Sequence, residues 1–188
     1  MVNTFFTSDL HFGHKNIIKY CDRPFGNTTE MNEAIVTNWN SVVKPEDIVY
    51  ILGDISFASV QETTKLLSQL NGILYLIRGN HDTNKYITSY VNFFEDIDNL
   101  KEVKIIEPQS GEKLHFTLCH YPMTAWNKSH RGSFHLYGHV HGTYDAPNLS
   151  MDVGIDTHPE FRPYSLDEIL TKLYKKTFCD LIKKDGEN

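Results

Sequence analysis

The chain has 188 residues, 40% hydrophobic and 22% charged, the balance of a globular protein long enough to bury a sizeable core in one domain. A formal net charge of −6 argues against a broad basic face for extended duplex nucleic acid, which needs many Lys and Arg contacts to phosphate. No run of roughly 18 apolar residues exists, so a membrane span is not expected.

The opening residues Met1 to Phe6 carry no basic leader ahead of an apolar stretch, so no secretory signal is expected either. The three cysteines, Cys21, Cys119 and Cys179, are odd in number and far apart. They read as incidental or buried thiols in a reducing, cytoplasmic setting.

In chain order, short apolar runs end in polar or glycine-bearing clusters. Thr4 to Thr7 leads into Ser8-Asp9-Leu10-His11, and Asp47 to Leu52 into Gly53-Asp54. Ile73 to Ile77 leads into Arg78-Gly79-Asn80-His81-Asp82, Leu114 to Leu118 into Cys119-His120, and Phe134 to Tyr137 into Gly138-His139-Val140-His141. Continuous runs of this length predict strands buried on both faces. Residues 29–43 place Met31, Ile35, Trp39 and Val42/Val43 at helical spacing, and residues 59–70 repeat the pattern before an Asn71-Gly72 stop. Val103 to Glu107 and Leu114 to Leu118, joined through Pro108 to Gly111, predict a hairpin. A last helix, about 165–184, starts at Ser165 with Glu168 in a capping-box pattern, and its apolar face is Leu166, Ile169, Leu170, Leu173 and Tyr174. No linker or repeat divides residues 1–188, and alternating strands and helices predict a layered α/β sandwich.

The chemistry-bearing residues fall just beyond strand ends, where open α/β sheets build their sites. Asp9 and His11, two apart, share a face if the strand stays extended. Asp54, Asn80 with His81, His120, and His139 with His141 follow four further strands. Taken singly, an Asp-x-His or His-x-His pair is more often surface or core decoration. Five such pieces at successive strand ends are a strong signal, and carboxylate with imidazole but no thiolate suits Mn, Fe, Zn, Ni or Co.

Asp9-Leu10-His11, Gly53-Asp54, Gly79-Asn80-His81-Asp82, His120 and Gly138-His139-Val140-His141 together resemble the five blocks of the calcineurin-like metallophosphoesterases. The small size resembles bacterial or phage-type members. The resemblance implies a four-layered αββα sandwich holding two divalent metal ions, manganese first among them. By it, Asp9, His11 and His141 are ligands of one metal and Asn80, His120 and His139 of the other. Asp54 bridges them, and a bridging water or hydroxide is the nucleophile. His81 matches the histidine that protonates the leaving group or stabilises phosphate charge, and an unperturbed imidazole pKa of about 6.5 suits that work. Arg78 resembles an arginine that contacts phosphate in the protein-phosphatase branch. Asp82 is a candidate to orient His81, and His14 to contact substrate phosphate or a group behind the ligands.

After Asp54 the chain reads Ile55-Ser56-Phe57 rather than the Asp-Arg-Gly continuation of serine/threonine phosphatases, which weakens the case for a dedicated protein phosphatase. The segment Tyr121 to Ser133 either overhangs the site, with Trp126 stacking on a base and Lys128 or Arg131 meeting phosphate, or is a loop anchored by Trp126 in the core. His115, His130, His135 and His158 match no ligand block and read as surface, core or rim residues. The expected activity is hydrolysis of small nucleotide-like phosphodiesters. Nucleotidase or other phosphomonoesterase activity, then cleavage of short single strands, follow it. The reading from a different class is a non-catalytic interaction module on the same fold. The expected partner is a small phosphoester, and the sequence leaves oligomeric state open.

Overall fold

The structure is a computed structural model that describes residues 2–185, including every side chain in that span except those of Lys85 and residues 177–185. Cys179 therefore lies outside the described side chains; Cys21 and Cys119 are free thiols.

Among the described residues nine strands form two sheets. The first takes β1 (Thr4–Thr7), β2 (Ile48–Ile51), β3 (Ile73–Ile77), β4 (Phe94–Asp98) and β9 (Tyr164–Ser165), in the order β4-β3-β2-β1-β9. The second takes β5 (Leu100–Ile106), β6 (Lys113–Cys119), β7 (Phe134–Tyr137) and β8 (Ser150–Asp152) in sequence order. β1 to β4 are mutually parallel and β9 is antiparallel to β1. In the second sheet β5 and β6 form the expected hairpin, while β6, β7 and β8 run parallel. The helices are α1 (Ile17–Tyr20), α2 (Thr28–Val42), α3 (Val60–Leu67), α4 (Asn84–Tyr90) and α5 (Leu166–Asp185).

Side-chain alternation splits the apolar residues of the first sheet into two cores. Phe5, Val49, Ile51, Leu74 and Leu76 pack with Met31, Ile35 and Trp39 of α2 and Leu66 and Leu67 of α3. Phe6, Tyr50, Leu52 and Ile77 point the other way and meet Leu114, Phe116, Leu118, Phe134 and Leu136 of the second sheet. A ladder of rings crosses between the sheets, Tyr75–Tyr50–Phe6–Phe116–Phe134, with centroids 5.0 to 5.7 Å apart. These are ordinary aromatic packing distances. The central strands β1, β2 and β7 are thus buried on both faces, as their continuous apolar runs predict, whereas the edge strands β4 and β5 are not.

α5 packs into the inter-sheet core through Leu166, Ile169, Leu170 and Leu173. The outer face of the second sheet is covered by residues 121–133, where the Trp126 ring sits 5.2 Å from that of buried His135. Trp126 donates from Nε1 to Ser133 O at 3.1 Å and is 7% exposed, so it is an anchor, and no residue from 126 to 131 lines the site cleft.

Helix ends follow local chemistry. Asn27 and Ser59 cap α2 and α3 by accepting from Glu30 N and Glu62 N. α3 stops at Leu67, short of the expected residue 70. Ser165 and Glu168 form the predicted box at α5, Glu168 N donating to Ser165 Oγ and Ser165 N to the Glu168 carboxylate. Burial would raise the Glu168 carboxyl, but hydrogen bonds from Arg162 and Ser165 outweigh it and hold the pKa at about 2. A carboxylate depressed in the folded state adds stability above its ordinary 4.5 and loses it as pH falls toward about 2. Glu168→Gln is therefore expected to melt below wild type at pH 7. The gap should close on acidification, as followed by circular dichroism at each pH; a pH-independent gap would contradict this.

Candidate metal centre

The C-terminal ends of β1, β2, β3, β6 and β7 meet at one edge of the sandwich. The loops after β1 and β2 run side by side, with Asp9 N donating to Gly53 O, His11 N to Asp54 O and Phe12 N to Ile55 O, all at 2.9 to 3.0 Å. The second sheet is tied to the first because His139 N donates to Asp9 Oδ2 at 2.9 Å and the His120 ring meets Leu52 O at 2.7 Å. The extended backbone that would put Asp9 and His11 on one face does not persist. Five of the seven expected ligands are left-handed instead: Asp9 (φ 58°), His11 (50°), Asp54 (55°), His139 (72°) and His141 (49°). Such conformations are unfavourable by roughly 1–2 kcal/mol per L residue, and clusters of them mark functional sites. Two glycines make room. A Cβ on Gly79 would collide with Asp54, and one on Gly138 with Ser8 and Asp9.

The donors gather in two triads, Asp9–His11–His141 and Asp54–His120–His139, whose ligand atoms within each lie within 4.8 Å of one another. Asp54 Oδ2 reaches toward both, 3.7 Å from His11 Nε2 and 3.6 Å from His120 Nε2. Asp9 Oδ1 is buried with no hydrogen-bond partner, and so are both ring nitrogens of His11, a residue 3% exposed. His120 Nδ1 donates to Leu52 O at 2.7 Å, so in the neutral ring Nε2 offers a lone pair, and it faces Asn80 Oδ1 at 3.0 Å. Buried acceptors facing acceptors are unfavourable unless a cation lies among them. The residues fit metal ions.

Behind His141 stands Asp156, whose Oδ2 accepts from Nδ1 at 2.7 Å. Burial pulls the His141 pKa down, yet the Asp156 hydrogen bond and the Asp9 charge leave it net raised. Asp156 is held by Arg23, 3% exposed, which also donates to Asp9 O and Leu10 O. Neither Arg23 nor Asp156 stands out in the sequence, since both lie outside the five blocks. Cys21 is near His141 and Asp156, but burial pushes its thiol up to about 11, so it stays protonated near neutral pH.

Four further expectations resolve unequally. His81, its side chain 44% exposed, borders the same cleft with Nε2 3.9 Å from Asp54 Oδ2. His14 also lines the cleft, stacked on Phe57 at 4.0 Å with Nδ1 unpartnered. Asp82 does not orient His81; its carboxylate is buried and accepts from the backbone N–H of Asp54, Ile55 and Gly79. That satisfies three amides and fixes the β2 and β3 loops against each other. Arg78 turns from the cleft and donates to Asp82 O and Asn84 Oδ1, bracing the same loop. His115, His130, His135 and His158 do not line the cleft.

Strand ends converging from two stacked sheets on paired His/Asp triads make a candidate metal centre. The calcineurin-like phosphoesterase profile matches residues 2–149, and the chain belongs to that family, a family of metal-dependent phosphoesterase hydrolases. An uncharacterized protein of Methanocaldococcus jannaschii is 35% identical over 185 residues, covering 94% of this chain and 93% of its own. The Gene 66 protein of Mycobacterium phage L5 is 30% identical over 196 residues, covering 90% and 93%. A solved structure of a protein of unknown function from Aquifex aeolicus aligns with a TM-score of 0.67 at 24% identity, over 91% of this chain and 99% of that one, a likeness of fold. Among the described residues no helix is long and apolar enough to cross a membrane.

Asp82→Ala leaves three amides without their acceptor, a loss of about 3 kcal/mol or roughly 6–12 °C in melting temperature for a chain of this size. Asp82→Asn should lose less, since its carbonyl oxygen still accepts. Equal melting of Asp82→Ala and wild type would refute the stitching role.

Proposed function

We propose that the chain hydrolyses phosphodiester bonds of small nucleotide-like substrates with two divalent ions, manganese first. Asp9, His11 and His141 would hold one ion, Asn80, His120 and His139 the other, and Asp54 both. The observation that carries this reading is the pair of acceptor triads with Asp54 reaching into each, on a cleft of about 790 Å³. Bound there, the ions would lower the pKa of a water and draw charge from the phosphoryl oxygens.

The protein's own groups divide the remaining work. His81 is exposed to the cleft beside Asp54, where an imidazolium can give its proton to the departing alkoxide. His14 faces the same space and can donate to a phosphoryl oxygen. Phe57, 41% exposed, and Tyr20, 72% exposed, flank His14 and form an aromatic wall on which a base or aryl group can stack. Among the described residues no Lys or Arg lines the cleft, and Asp22 borders it. That lining supports a diester, which carries one negative charge, over a monoester dianion that would call for extra cationic clamps. The partner is thus a small phosphoester, acted on by residues 1–188 as one domain.

Purified protein supplied with Mn²⁺ is expected to hydrolyse bis-p-nitrophenyl phosphate. His81→Ala should lose about 10²–10⁴-fold in kcat while keeping its metal. Absence of turnover on any aryl phosphoester by a metal-loaded sample would sink the enzymatic reading. Phe57→Ala should raise KM for aryl and nucleotide diesters more than for a dialkyl phosphate; equal changes would remove the aromatic wall from substrate binding.

A further inference from the structure

The two triads differ in what stands behind them. His120 is oriented by a neutral backbone carbonyl, Leu52 O. His141 is oriented by a carboxylate, Asp156 Oδ2. That carboxylate is gripped along one edge of a guanidinium, Arg23 Nε to Oδ1 at 2.6 Å and Nη2 to Oδ2 at 2.8 Å. Arg23 also donates from Nη2 to Asp9 O at 2.8 Å and from Nη1 to Leu10 O at 2.9 Å. Asp9 and His11, the residues flanking Leu10, are both left-handed. One buried cation therefore holds the turn that carries Asp9 and His11 and, through Asp156, the ring of His141.

We propose that Arg23 and Asp156 are positioning residues for the Asp9–His11–His141 triad alone, and that they make it the tighter of the two cation sites. The proposal rests on the two-metal reading above. Accepting the Nδ1 proton fixes the His141 tautomer, so that Nε2 turns a lone pair toward Asp9 Oδ1, 3.8 Å away. A carboxylate behind a ligating imidazole strengthens it as a donor, more than a carbonyl does. The Arg23 fork holds that carboxylate in place before any metal arrives. Among the described residues the Asp54–His120–His139 triad shows no such support: its His120 leans on a peptide group, and Asn80, the expected donor beside it, is neutral.

The test is calorimetric titration of the metal-free chain with Mn²⁺, with bound manganese counted by elemental analysis. Wild type should bind two ions in unequal steps. Asp156→Asn keeps the volume and an acceptor oxygen but removes the charge, and should weaken the tight step about 10–100-fold while moving the other by less than about twofold. Arg23→Lys keeps the charge but loses the fork, and should act in the same direction. Unchanged far-ultraviolet circular dichroism and metal-free melting would separate positioning from folding. Both steps unchanged in Asp156→Asn, or both weakened in parallel, would overturn the proposal. Wild type that binds no Mn²⁺ would overturn the two-metal reading along with it.

Discussion

Lone pairs that face one another in a water-poor place repel, and this edge of the sandwich is crowded with them. Asp9 Oδ1 and the ring nitrogens of buried His11, one of which must be an acceptor, find no hydrogen-bond partner there, and His120 Nε2 faces Asn80 Oδ1. A fold stabilised by its own contacts alone would not assemble such a cluster, because each unsatisfied buried acceptor is unfavourable by about 1–3 kcal/mol. Cations reverse the sign of every term. The rest of the architecture can be understood as the means of holding these atoms together until the cations come.

Those means are distributed. The ring ladder and the two apolar cores keep the sheets stacked, so that strand ends from both open on the same edge. Gly79 and Gly138 let the loops touch where any side chain would hold them apart. Asp82 takes up the amides that the sharp turns leave over, and Arg23 takes up carbonyls. The left-handed backbone at five ligand positions is sustained by these neighbours rather than by local preference.

Much of this was legible in the chain. Buried strands announce themselves as unbroken apolar runs, and the donors follow them within a few residues, so both the strands and their ligands stood out. The α5 box was readable because Ser165 and Glu168 are a local pair. α4 and β4 were missed for physical reasons: α4 has only seven residues, and β4 is an acidic edge strand, Phe-Glu-Asp-Ile-Asp, with none of the usual apolar run. Asp82 and Arg78 turn to the backbone and to Asn84 instead of His81 and the cleft, because neither adjacency to His81 nor a likeness to another family branch says where a side chain points. Trp126 and Phe57 show the converse. The more conspicuous aromatic packs under its own loop, while the one lining the cleft stands out in the sequence only as a departure from the family pattern after Asp54. Arg23 and Asp156 are 133 positions apart, and nothing local connects them.

That separation bears on how the molecule can be cut. The segment shared with the wider family closes at residue 149 and contains every expected metal ligand. Arg23 lies inside it, but its counter-charge Asp156 lies beyond. A chain trimmed at that boundary would keep all seven donors but lose β8, β9 and the α5 part of the core, and would also strand a buried guanidinium, a fault of about 3–5 kcal/mol for a broken interior ion pair. The modular unit is thus longer than the matched segment, and Asp156, together with β8, β9 and α5, completes it.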